Sequence, residues 1–110
     1  MARPKARRKG LRYGAMWTLR TAEPAALTFR LGPGTIKTVG RAARADFIVD
    51  AALVSRLHCR ITAGDDSLEV VDLESTNGTF VNDRRIDRAA LTNGDRLRVG
   101  RVELLVERQA

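Results

Sequence analysis

The feature that most limits the fold of this chain is the spacing of its turn signals. From residue 16 onward, short apolar segments are cut by Gly32-Pro33-Gly34, Gly40, Gly64-Asp65-Asp66-Ser67, Asn77-Gly78, Asn82-Asp83, Asn93-Gly94 and Gly100-Arg101. That spacing leaves little room for a helix of several turns and suits short strands joined by hairpins. Residues 16–20, 26–31, 36–39, 47–49, 58–62, 68–72, 79–81, 84–86, 96–99 and 102–106 read as strands. In 26–31 the alternation is strict and predicts Leu27, Phe29 and Leu31 on one face. The Ala-rich stretch 42–46 is too short for a stable helix. Ten or so short strands predict an all-β chain, a β-sandwich or barrel, with two sheets closing over one core.

A chain of 110 residues is one domain. Its formal charge of +7 is uneven. Arg3, Lys5, Arg7, Arg8, Lys9 and Arg12 fall within residues 1–14 with no acid among them. We therefore expect a disordered basic tail over 1–14 and a nearly neutral folded domain over 15–110. A tail of this kind either touches an acidic partner, such as nucleic acid, a lipid surface or a protein, or is a solvated extension. Cys59 is the single cysteine, so no internal disulfide forms, which fits a reducing compartment. No apolar run approaches the roughly 18 residues of a membrane helix. The basic N-terminus has no apolar stretch behind it, unlike a secretory signal. The expected location is cytoplasmic.

Catalytic constellations are missing. The one histidine and the one cysteine, His58 and Cys59, are adjacent. Neighbours on a strand point to opposite faces, so they do not form a nucleophile–base pair. One His and one Cys do not make a zinc site, and the scattered acids do not have calcium-loop spacing. Gly32-Pro33-Gly34 lacks the Lys-Ser/Thr and helix of a phosphate loop. The expectation is a binding module with no enzyme activity, metal or cofactor.

Three loops carry more polar groups than turns require: GRAARAD (40–46), LVSRLH (53–58) and STNGT (75–79). Loops of a sandwich cluster at its ends. If these share one end, Arg41, Ser55, Arg56, Thr76 and Asn77 converge. Two guanidiniums and a hydroxyl suit a phosphate; Asn and Thr suit the amides of an extended peptide. The aromatic residues lie elsewhere in the sequence, so no stacking platform for bases is expected. The residue types point to a phosphate-bearing peptide.

Gly40-Arg41, SRLH at 55–58, STNGTFVN at 75–82 and GDRLRVG at 94–100, in this order, resemble the forkhead-associated (FHA) domain family over roughly residues 16–107. The resemblance implies an FHA-like β-sandwich of about eleven strands that binds phosphothreonine peptides with the loops at one end. It implies that Arg41 and Ser55 contact the phosphate, and that Arg56, an arginine in many bacterial members, adds a second cation. Thr76 would lie at the rim and contact the peptide or the pocket for its threonine methyl group. Asn77 would bond the peptide backbone just after the phosphothreonine. Gly40, His58 and Gly78 would support the site: Gly40 by freeing the turn before Arg41, His58 by bracing the loop, Gly78 by supplying a special backbone angle. Asn82-Asp83 stands where the family often has Asn-Gly. Some small bacterial members fold a phosphorylated tail threonine onto their own site. Residues 1–17 contain no Ser or Thr, so a partner in trans is expected.

The expected function is a phosphothreonine-peptide reader in signal transduction. Its partner would be a Ser/Thr kinase or a kinase substrate. Two alternatives stand beside it: a nucleic-acid-associated protein held by its tail, and a phosphate-independent protein-interaction domain.

Overall fold

The computed structural model describes residues 16–21 and 27–109. The basic segment 1–14 expected as a tail lies outside them, as does Ala26. Eleven strands form two sheets. They are β1 (Met16–Thr21), β2 (Thr28–Leu31), β3 (Ile36–Gly40), β4 (Phe47–Ile48), β5 (Cys59–Ala63), β6 (Leu68–Asp72), β7 (Thr79–Val81), β8 (Arg84–Ile86), β9 (Arg88–Leu91), β10 (Arg96–Val99) and β11 (Val102–Gln109). One sheet has the order β2-β1-β11-β10-β7-β8, the other β4-β3-β5-β6-β9. β3 and β4 pair in parallel; every other pair is antiparallel.

The core lies between the sheets. Trp17, Leu19, Leu97, Val99, Leu104 and Val106 come from the first sheet; Val39, Ile61, Leu68, Val70 and Leu91 come from the second, all fully buried. The period-two alternation of 59–63 and 96–99 places these side chains inward and Arg60, Arg96 and Arg98 outward. Trp17 gives its indole N–H to the Gly64 carbonyl at 2.9 Å, so its polar edge is satisfied in the core. Cys59 is buried, and burial, with Asp72 nearby, pushes its thiol up to about 12. It acts as a small core side chain.

Three sequence expectations are corrected. Leu27 is not on the inner face: it precedes β2 and is exposed. It sits where the β1–β2 connection closes, with Thr21 N–H on its carbonyl and its own N–H on Thr21 Oγ1. Phe29 and Leu31 keep the expected face, and Phe29 stacks on Phe47 with centroids 4.6 Å apart. Residues 88–91 are a strand the pattern did not show. RAAL has weak strand propensity and is held extended by pairing with β6. β11 runs on to Gln109 because β1 pairs with it that far, from Thr21 against Leu104 to Met16 against Gln109.

Candidate functional site

The three polar loops meet at one end of the sandwich. Past Gly40 the backbone of β3 continues against the 53–58 loop: Arg41 N–H donates to the Ser55 carbonyl at 3.0 Å and Ala42 N–H to the Arg56 carbonyl at 3.1 Å. Gly40 makes this approach possible. A Cβ there would meet the Arg56 carbonyl and lie 2.9 Å from Leu57 Cα. Gly40 has no positive φ, so its role is close approach and not the freed turn expected from the sequence.

His58 is fully buried and ties two loops together. The Ser55 N–H donates to its Nδ1 at 3.0 Å, so Nε2 carries the proton and donates to the Gly78 carbonyl at 2.8 Å. The third loop is tied down by Asp72. Its carboxylate accepts from Ser75 Oγ at 2.6 Å, Ser75 N–H at 3.2 Å and Thr79 Oγ1 at 2.7 Å. Burial opposes its ionisation, but these hydrogen bonds outweigh burial and hold the carboxyl below its ordinary value. Ser75 Oγ in turn accepts the Gly78 N–H. Gly78 has φ +94°, which L side chains rarely adopt.

On this frame Arg41, Ala52, Leu53, Val54, Ser55, Thr76 and Asn77 line an open groove of about 420 Å³. Arg41 donates Nε to the Val54 carbonyl at 3.0 Å, which fixes the plane of its guanidinium. Among the described residues it has no ion pair, and its terminal nitrogens keep their hydrogens for another acceptor. Ser55 Oγ accepts the Thr76 N–H at 3.0 Å and keeps its own hydrogen to donate. Asn77 donates Nδ2 to the Leu53 carbonyl at 3.1 Å and leaves its side-chain carbonyl open. Arg56, adjacent to Ser55, is exposed but does not line the groove.

The profile of the family described as "FHA domain" matches residues 37–100. This chain belongs to the FHA domain family. The FHA domain is 35% identical over 104 residues to the ABC transporter ATP-binding/permease protein Rv1747 of Mycobacterium tuberculosis, covering 93% of this chain and 12% of that protein. It is 37% identical over 70 residues to the glycogen accumulation regulator GarA of the same species, covering 64% of this chain and 43% of GarA. The chain thus spans less than half the length of either relative. A solved structure from a study of phosphothreonine-dependent FHA domain interactions superposes with a TM-score of 0.78 at 33% identity, covering 84% of this chain and 95% of that one.

Sequence reasoning named the polar groups around this FHA groove but not its apolar wall or its anchor. Leu53 is exposed and has φ 71°, a left-handed conformation that costs a non-glycine residue roughly 1–2 kcal/mol. Its backbone packs on Gly100, where a Cβ would come within 2.9 Å of the Leu53 carbonyl. No local signal announces that contact. Asp72 did leave one: Asp and Ser three apart form a side-chain-to-backbone turn.

Proposed function

We propose that this FHA domain binds a phosphothreonine-bearing segment of a partner protein in the groove. It thereby recruits proteins marked by a Ser/Thr kinase, in the cytoplasm, and catalyses no reaction. One observation carries the reading. Arg41 and Ser55 line one groove with uncommitted donors, while the rest of each side chain is held by Val54 and Thr76. A phosphothreonine has about −1.5 to −2 charges at pH 7 and three acceptor oxygens, which match a guanidinium fork beside a hydroxyl. Because the donors are pre-positioned, less ordering entropy opposes binding.

In this reading Arg41 and Ser55 hold the phosphate. Thr76 bounds the pocket for the threonine methyl group, and Asn77 bonds the peptide backbone just after the phosphothreonine. Arg56 adds positive potential near the phosphate without lining the groove. Gly40, His58 and Gly78 support the loops. The similarity to a domain from a study of phosphothreonine-dependent FHA interactions supports the ligand class.

The experiment is titration of the protein with an oriented phosphothreonine peptide library, with phosphoserine and unphosphorylated pools as controls. Saturable binding confined to the phosphothreonine pool is expected. Equal affinity for the unphosphorylated pool would contradict the proposal.

A further inference from the structure

Among the described glycines with positive φ, Gly34 and Gly94 stand in open space, where a Cβ would meet nothing within 4 Å. Gly100 is different. It lies in the β10–β11 turn with φ +59°, it is buried, and main chain packs directly on it. A Cβ there would fall 2.9 Å from both the carbonyl carbon and the carbonyl oxygen of Leu53, and 3.2 Å from the Ala52 carbonyl oxygen. The left-handed angle alone would also admit Asn. The close approach leaves no room for a side chain of any kind.

Leu53 is the residue that this packing holds. It has φ 71° and an exposed side chain, so no burial of its own offsets the strain. Such an angle persists only where the surroundings impose it. Here they act on one atom. The Leu53 carbonyl oxygen rests against Gly100 and accepts Asn77 Nδ2 at 3.1 Å. The turn on the other side of the contact is fixed. Val99 is fully buried and stands opposite both Thr79 and Val102, and Arg98 donates Nη1 to the Gly100 carbonyl at 3.3 Å. Ala52 and Leu53 are exposed, so they are the side that would give way.

We propose that Gly100 is a positioning residue for phosphopeptide binding, acting through the Leu53 carbonyl on the side-chain amide of Asn77. It does not line the groove itself. Its missing side chain lets the Leu53 carbonyl sit where it fixes the Asn77 amide, with the Asn77 side-chain carbonyl left free for the peptide. The inference rests on the proposed role of the groove, in which Asn77 bonds the peptide backbone. An Asn77 amide released from Leu53 rotates, and that freedom must be given up on binding. One orienting hydrogen bond of this kind corresponds to about threefold to tenfold in affinity.

The test is a double-mutant cycle read by affinity for a phosphothreonine peptide from the library, with the amide spectrum of each free protein recorded beside it. The proteins are the native chain, Gly100→Ala, Asn77→Ala, the two together, and Gly94→Ala, each checked for folding by circular dichroism. Gly94 lies at the other end of β10 with φ +93°, so alanine there brings the backbone strain without the contact. Gly100→Asn is measured in parallel. Asparagine tolerates the left-handed angle, so this variant keeps the clash with less strain and carries the test where Gly100→Ala does not fold. The expected result is that Gly100→Ala weakens binding about threefold to tenfold and displaces the Asn77 side-chain amide signal before any peptide is added. Gly94→Ala should do neither, and Gly100→Ala should have no further effect beside Asn77→Ala. Unchanged affinity in folded Gly100 variants overturns the proposal. So does an equal loss in Gly94→Ala, because the effect is then general destabilisation, and so does a loss that persists in full beside Asn77→Ala. A native protein that binds while the Asn77 signal stays in place in the Gly100 variants overturns this inference alone. Failure of the native protein to bind the phosphothreonine peptide overturns it together with the reading of the groove.

Discussion

Any side chain at Gly40 would press into the backbone of Arg56 and Leu57, where the 53–58 loop crosses the end of β3. Both neighbours are main chain, so neither yields by a rotamer change. Gly40→Ala should cost about 1–3 kcal/mol in denaturant unfolding, the range for overpacking, and should weaken peptide binding by moving Ser55. His58 acts over the same span. Its removal would strand the Ser55 N–H and the Gly78 carbonyl, and each lost partner costs about 1–3 kcal/mol. His58→Ala should therefore lower both stability and affinity, although His58 does not line the groove. Arg41→Ala should separate the two effects. Charge-assisted bonds to phosphate contribute about 1.5–3 kcal/mol, so phosphopeptide affinity should fall about tenfold to a hundredfold. Calorimetric unfolding should move by only a few degrees, since one Nε bond to Val54 is lost.

The β7–β8 hairpin shows what an element owes to its local sequence. Asn82 and Asp83 have φ of 49° and 69°, both positive, as a two-residue type I′ turn demands. Asn82 also joins the turn to the start of β10. Its side-chain carbonyl accepts the Arg96 N–H at 2.9 Å, and its amide donates to Asp95 at 3.0 Å. Asp83 has only the strained angle to satisfy. Asp83→Gly should stabilise the protein by about 0.5–1 kcal/mol in chemical denaturation, because glycine adopts that angle freely. Such a turn is legible in a sequence because its cause lies within two residues. β6 and β7 were legible for the same reason, in alternation bounded by turns. β9 was not, since Arg88-Ala89-Ala90-Leu91 becomes a strand only beside β6. The site divides in the same way. Arg41, Ser55, Thr76 and Asn77 stand out by residue type and loop position. Leu53 reaches the groove through packing on Gly100, nearly fifty residues away, which no local pattern encodes.

At the scale of the whole molecule, three carboxyls among the described residues are held below their ordinary value by hydrogen bonds that the fold supplies. Asp46 is lowered first by the Thr38 N–H and Asp95 by the Thr92 N–H, while for Asp72 the bonds from Ser75 and Thr79 outweigh its burial. A carboxyl with a depressed folded value favours the folded state above its unfolded value of 3.8, and that contribution is lost as pH falls through the folded value. These carboxyls should therefore make thermal stability decline below about pH 4. Asp72→Asn should start from a lower melting temperature at pH 7 and decline less in acid. The central claim concerns where the ligand sits. The most direct measurement is amide chemical-shift mapping of the isotope-labelled protein, titrated with a phosphothreonine peptide and with its unphosphorylated twin. The account predicts saturating shifts at Arg41, Ser55, Thr76, Asn77 and Gly78 with the phosphopeptide and none with the twin. Shifts confined to the outer face of the five-stranded sheet, or the same shifts with both peptides, would contradict it.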